Sequence, residues 1–404
     1  MKITGWFLSC IFILLSILIL PVSTLRAQSR DSIFVEELAP GILHKQIFNS
    51  RDTLMINIVR ADMSKGNYYV KAVKARNSLL GREKVSEMAS RSVDSLGEVI
   101  CAINADFFNM KTGEVENNMV SEGMFVRATT MTDSPFDVFD NIHSQFGITY
   151  QNKPYIERFR FVGNVIFPRG VVENLGRINS EPDSNSMVLY NTYQGRHTPA
   201  GKNNWKIAET ELVPIRTVAD TFYCVTNGGI LKSSNNLLRQ GRPILSGNNN
   251  YADVMIRNIK DGDTIKIVVK LDPNYPGMRT LTGGWPRIVR DGVNIADSAD
   301  SIEGTFPKFS KVKHPRTGIG FSSDSTIIYF ITVDGRQESS SGISLKDFAD
   351  LMISESVIQG LNLDGGGSTT LVIGDKIVNH PSDTNGERPV GNCLLLMKKK
   401  EKQQ

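Results

Sequence analysis

Carboxylates, carboxamides and arginines gather at five places in this chain. The first is Asn104-Ala105-Asp106-Phe107-Phe108-Asn109, with Glu122 a short way on. The second is His314-Pro315-Arg316-Thr317-Gly318, and the third is Val333-Asp334-Gly335-Arg336-Gln337. The fourth runs Asn362-Leu363-Asp364-Gly365-Gly366-Gly367-Ser368-Thr369, and the fifth is Glu387-Arg388-Pro389-Val390. Paired carboxylates are the usual tools for splitting a glycosidic bond: one protonates the leaving oxygen, the other activates water or attacks carbon. Arg316 and Arg336 add planar donors suited to phosphate or carboxylate. The glycines at 365–367 permit close approach of a ligand, and their N–H groups can form an anion-holding concavity. Asn362 and Asp364 alternate along a strand and so share a face. Plain structural roles fit the same residues. Asp364 can cap its own turn, Asp334-Gly335 is a common turn pair, and each arginine can sit in an ion pair. Taken together, arginines beside acids point to an anionic, polar substrate.

Missing motifs narrow the chemistry. There is no HExxH zinc-protease signature, no GxSxG nucleophile elbow, and no Walker A or Rossmann glycine pattern. The histidines at 44, 143, 197, 314 and 380 are scattered, so a histidine metal site or triad would depend on folding that brings distant residues together. The formal charge of +4 is small, and part of it lies in the tail from Lys398 to Gln404. That is a poor footprint for nucleic acid, and no nucleic-acid partner is expected.

The elements that must carry these clusters are mostly strands. Residues 53–63 and 68–75 alternate apolar and polar as half-buried strands do. Val85, Met88, Ala89 and Val93 share one helical face. Residues 99–108 read as a buried strand delivering the first cluster. Short strands are expected at 146–150, 161–167, 188–190, 221–226, 264–269 and 287–290. Thr326–Val333 is a strand ending at Asp334. Ser344 then caps a helix with Asp347 at the capping-box position and an apolar face of Leu345, Phe348, Ala349 and Met352. A second strand, Val357–Leu363, ends at Asp364, and strands joined through a helix are expected to lie as parallel neighbours. The last strands are 369–373 and 392–397. The fold class expected is α+β: a sheet-rich, mixed α/β single domain with a few packed helices. A hydrophobic content of 40% against 22% charged fits a globular chain with its own core.

The amino terminus reads as an address. Lys2 is followed by an apolar run to Leu20, then Pro21 and the small-residue exit ending at Ala27. The run is short for a bilayer span, and Pro21 ends it. Residues 1–27 are therefore expected to be a signal peptide, with residues 28–398 the folded domain and 399–404 a polar tail. Cys10 precedes most of the apolar run, which does not suit a lipidation site. The location expected is exported: periplasm, cell surface or extracellular, with no stable membrane span after signal removal. Cys101, Cys224 and Cys393 remain, each in an apolar stretch, so burial as small hydrophobes is expected.

The ordered set of motifs resembles the phosphodiester glycosidase family, which includes N-acetylglucosamine-1-phosphodiester alpha-N-acetylglucosaminidase. The resemblance runs from about Glu36 to Lys398. It begins with Leu38–Lys45, runs through the helix stretch Val85–Arg91, and rests on Ile103–Phe108, Pro315–Gly320, Val333–Arg336, Asn362–Thr370 and Arg388–Asn392. Ala105-Asp106 stands where many relatives carry two glycines. The resemblance implies hydrolysis of a sugar-1-phosphodiester at the anomeric C–O bond, with a phosphorylated glycan or sugar phosphate as partner. Asp364, Glu122, Asp106 and Asp334 are then the catalytic candidates. Asn104, Asn109, Arg316, Thr317, Arg336, Asn362, Gly365, Gly366, Ser368, Thr369 and Arg388 are the substrate-binding candidates. No cofactor is required, though Asp106, Asp334 and Asp364 could hold a divalent cation such as calcium or magnesium. Other readings stay open: a non-catalytic glycan-binding envelope protein, a hydrolase of a cell-wall polymer, or a metal-dependent phosphodiesterase breaking the P–O bond.

Overall fold

The computed structural model describes residues 31–93, 97–130, 142–202 and 204–400. The signal-peptide expectation lies outside them. Among the described residues no helix is long and apolar enough to cross a membrane.

Three sheets dominate, of eight, thirteen and five strands, and only a few short helices accompany them. This is the sheet-rich α/β class expected from the sequence. Nearly all pairings are antiparallel, as short strands joined by tight turns allow.

The five-stranded sheet centres on Gly97–Asn104. It pairs with Asn392–Lys399 on one side and Leu371–Ile373 on the other. Its strands are apolar on both faces because both are covered. One face meets the helix Val85–Ser90 through Val85, Met88 and Ala89. The other joins a core shared by all three sheets, in which Ile103, Leu394, Ile319, Phe330, Met119 and Phe146 are all fully buried. Val93, expected on the helix face, lies beyond the helix end and is 50% exposed.

The eight-stranded sheet holds Arg316–Phe321, Ile327–Val333 and Gln359–Asn362. Ser344 caps the helix Leu345–Ser354 as expected, its hydroxyl accepting from the Asp347 N–H at 3.1 Å. The helix packs Leu345, Phe348, Ala349 and Met352 on that sheet. The two strands it joins are not neighbours, which corrects the expectation. Arg316–Phe321 lies between them, antiparallel to both, with Arg316 opposite Val333 and Gly318 opposite Asn362. The inserted strand carries its own polar cluster into the gap, so motifs distant in sequence emerge at one edge.

The thirteen-stranded sheet curls. Phe125 on Met124–Thr129 meets Phe161 on Arg160–Ile166 edge-on, ring centres 5.8 Å apart, although many strands separate them in the sheet order. A separate core fills part of this curl, with the helix Asn250–Asn258 packed against it.

Candidate active site

The strand Gly97–Asn104 ends in Asn104, whose side chain ties the five- and eight-stranded sheets together. Its Oδ1 accepts from the Thr317 hydroxyl at 2.8 Å and the Thr370 N–H at 3.1 Å. Its Nδ2 donates to the Asp364 carbonyl at 2.5 Å. The backbone adds a bond from the Asp364 N–H to the Ala105 carbonyl at 2.9 Å. Asn104 is 1% exposed, so each of these bonds fills a position that would otherwise be an orphaned polar group.

Asp364 begins a tight turn. Its Oδ1 accepts the Gly365 N–H at 2.9 Å, the self-capping expected of an Asp at a turn. Residues Gly366–Ser368 form one 3-10 turn, and Gly366 sits at φ +62°, a conformation glycine adopts without penalty. Two guanidinium groups lie on this turn. That of Arg336 packs over Gly366, where a Cβ would come within 3.1 Å of its nitrogens. That of Arg388 crosses Gly367, where a Cβ would come within 2.1 Å of a guanidinium nitrogen. Arg388 is fixed by Asp383 through paired bonds of 2.7 and 2.8 Å, with a third, longer bond to the Ser368 hydroxyl.

Burial pushes the Asp364 carboxyl up to about 6. The Ser368 hydroxyl, the charge of Arg388 and the Gly365 N–H act against that shift. Asp364 retains partial exposure all the same, as a group meeting a ligand must. The site therefore pairs an acid that titrates near neutrality with two permanent cations on one glycine turn.

The other candidates fall into two groups. Beneath the turn, Thr317 bonds Asn104 and reaches the Thr369 hydroxyl at 3.3 Å, so both threonines support it. Asn362 donates to the Trp285 carbonyl at 2.6 Å, while its buried Oδ1 has no hydrogen-bond partner among the described residues. Arg316 is 2% exposed and spends its donors on the carbonyls of Ile343, Phe309 and Val312. Burial, and then the like charge of Arg336, lower it to about 9. It is placed to hold the 309–312 and 343 backbone rather than to meet a ligand.

The remaining acids do not join Asp364. Asp106 is 1% exposed and faces Asn117, whose N–H and side-chain amide donate at 3.0 and 2.8 Å. Burial raises its carboxyl to about 7. Glu122 lies in the turn before Met124–Thr129, 4.0 Å from Arg279. Asn109 is an exposed turn residue accepting from Lys111 and Thr112 N–H groups. Asp334 is buried, which raises its carboxyl, and accepts from the Asn379 side chain and the His380 N–H, both at 2.9 Å. Among the described residues no three His, Cys, Asp or Glu side chains converge with metal-holding geometry.

His314, from the second cluster, and three residues outside the sequence clusters lie around the site. Asp383 holds Arg388, and His314 Nδ1 lies 3.3 Å from Arg336. Asn379 bonds the Thr369 carbonyl, the Leu371 N–H and Asp334 at once. His380 places Nδ1 3.3 Å from Asp334 while its side chain stays 63% exposed. Nothing in the local sequence marks the 379–383 segment, because its role comes from crossing the turn in space.

Comparison with known proteins bears on the same region. Residues 215–397 match the family model described as phosphodiester glycosidase. That range holds four of the five clusters and omits Asn104–Asn109. N-acetylglucosamine-1-phosphodiester alpha-N-acetylglucosaminidase of Mus musculus is 31% identical over 175 residues, a match covering 39% of this chain. The match spans only 33% of the mouse protein's length. Among solved structures, a hypothetical protein from Synechocystis superposes over 92% of this chain and 65% of that one, with TM-score 0.68 and 17% identity. A protein from Burkholderia pseudomallei K96243 superposes over 91% of this chain and 96% of that one, with TM-score 0.67 and 17% identity. These two share the fold. The sequence matches support a relationship to the phosphodiester glycosidases at the level of the family.

Proposed function

We propose that the protein hydrolyses a sugar-1-phosphodiester in an exported glycoconjugate, breaking the bond between the anomeric carbon and oxygen. The observation that carries this is the Asp364 carboxyl, raised to about 6, beside two guanidinium groups on the Gly365–Ser368 turn. Arg388, held by Asp383, and the exposed Arg336 offer planar donors to a phosphodiester. A phosphomonoester is already a good leaving group, so the harder task is making water nucleophilic. Ionised Asp364 accepts the proton of the attacking water as its oxygen bonds to the anomeric carbon. The C–O bond pair leaves with the phosphate, giving free sugar and phosphomonoester, while the arginines stabilise the charge gathering there. His380, held by buried Asp334, supplies a second proton carrier at the rim, an imidazole oriented by a carboxylate. Asn104, Thr317 and Asn362 support the turn beneath the substrate, while Arg316 holds the neighbouring 309–312 and 343 backbone. The apolar leader before Gln28 carries the chain out of the cytoplasm to such substrates.

The test is turnover of a GlcNAc-1-phosphodiester. Released sugar and phosphomonoester are expected in equal amounts, with Asp364→Asn lowering the rate by about 10²-fold or more. Near-normal turnover by Asp364→Asn would remove it from the chemistry. Binding of many sugar phosphodiesters with turnover of none would identify a glycan-binding protein instead.

A further inference from the structure

The curl of the thirteen-stranded sheet forms a second cavity, open to solvent, that shares no residue with the Asp364 turn. Its volume is about 340 Å³, within the range of small-molecule pockets. Phe125, Leu189, Leu212, Phe222, Ile267 and Val269 line it. Several of these are buried core residues: Leu212 is 0% exposed and Ile267 1%. Apolar walls of this extent hold water poorly and favour an apolar occupant. A strongly curved sheet around an apolar centre is also a common way to hold a small ligand.

The cavity leads into a polar one of about 330 Å³. Glu122, Met124, Thr192 and Gln240 border both. The charges around the pair are unequal. Arg91 is paired with Glu83 at 2.7 Å, and Glu122 lies 4.0 Å from Arg279. Arg239 and Arg242 share the single carboxylate of Glu211 at 2.6 and 3.2 Å. Lys71 lines the polar cavity with no ion-pair partner among the described residues. The cations lining the two cavities, Arg91, Arg239, Arg242 and Lys71, outnumber the one lining carboxylate, Glu122.

We infer that the joined cavities bind a single-chain amphiphile, its apolar tail inside the curled sheet and its anionic head against Lys71. This site stands apart from the proposed hydrolysis and does not depend on it. Glu122 belongs here, with its charge turned to Arg279, rather than to the Asp364 site.

Isothermal titration of the purified, lipid-stripped protein tests it, with dodecanoate, dodecyltrimethylammonium, dodecanol and butyrate as probes. Saturable binding of one dodecanoate per chain is expected, with butyrate and dodecyltrimethylammonium at least tenfold weaker. Leu189→Trp fills the tail cavity and should weaken dodecanoate at least tenfold. Lys71→Glu, a change at a partly exposed residue outside the apolar core, should weaken dodecanoate at least tenfold and leave dodecanol unchanged. No saturable dodecanoate binding by the wild-type chain would overturn the inference. So would dodecyltrimethylammonium binding as tightly as dodecanoate, or an unchanged dodecanoate affinity in Lys71→Glu.

Discussion

Gly367→Ala separates the placement of a guanidinium from the stability of the fold. The Gly367 backbone is outside the left-handed region, so alanine is conformationally acceptable there. Its Cβ, however, would stand 2.0 Å from Asp383 Oδ1 and 2.1 Å from an Arg388 nitrogen. The nearest atoms all belong to the side chains of this ion pair, so the pair must swing off the turn by more than an ångström. The side chains of that pair are 24% and 34% exposed, and such pairs contribute about 0–1 kcal/mol. The alanine returns roughly 0.4–1 kcal/mol by restricting the unfolded chain. The net stability change is therefore small, and melting should move by no more than about 4 °C. Activity should respond quite differently. A binding group displaced by about 1 Å can cost on the order of 10²-fold in rate. The assay is turnover of a sugar-1-phosphodiester beside a thermal melt on the same preparations. Wild-type turnover with Arg388 displaced would refute its role as a phosphate clamp. A large stability loss would show that the ion pair cannot yield and that the turn is locked from above.

Three further predictions concern Asp106, Asn104 and His380. Asp106 has a folded pKa of about 7 against 3.8 unfolded, so the folded state keeps a proton that the unfolded chain releases. Stability from this group falls as pH rises from about 4 to about 7, on the order of a few kcal/mol. Asp106→Asn should remove most of that fall between pH 5 and pH 8 in urea unfolding, and an identical fall in both proteins would contradict the assignment. Asn104→Ala removes the side-chain partner of the Thr370 N–H and of the Asp364 carbonyl, and leaves the Thr317 hydroxyl only its 3.3 Å contact with Thr369. At roughly 1–3 kcal/mol for each buried group, a loss of at least about 3 kcal/mol is expected by denaturant unfolding. His380→Gln keeps an amide near Asp334 but cannot shuttle a proton. Turnover should fall about tenfold or more with melting unchanged, and an unchanged rate would exclude His380 from proton transfer.

Much of the scaffold was legible because strand alternation and helix periodicity report burial directly. The strands around Leu54–Asp62, Tyr68–Lys74 and Ile327–Val333 and the Ser344-capped helix fell where their patterns placed them. Sheet order was not legible. Nothing in Thr326–Leu363 announces that Arg316–Phe321 inserts between the two strands. The first two strands, Ser32–Ala39 and Ile42–Asn49, were missed as well, since their side chains are largely exposed or half-exposed and leave a weak pattern.

Within the site the same division holds. Asp364 and its glycines are contiguous, so their turn could be read from the sequence. Arg336 and Arg388 reach that turn from separate loops, and Arg388 depends on Asp383, which no motif singled out. Asp106, Glu122 and Asp334 have the right residue type for acid–base work. Their partners, Asn117, Arg279 and Asn379 with His380, are fixed by tertiary contacts that residue type cannot reveal. Arg316 shows the same limit from the other side, since a permanent cation near a glycine turn is here spent on backbone carbonyls.

Hydrolysis of a sugar-1-phosphodiester in ¹⁸O-labelled water, with mass analysis of both products, tests the central claim most directly. If water attacks the anomeric carbon, the label appears in the free sugar and the phosphomonoester carries none. Label in the phosphomonoester would show P–O cleavage and contradict the assignment of the Asp364 site as a phosphodiester glycosidase.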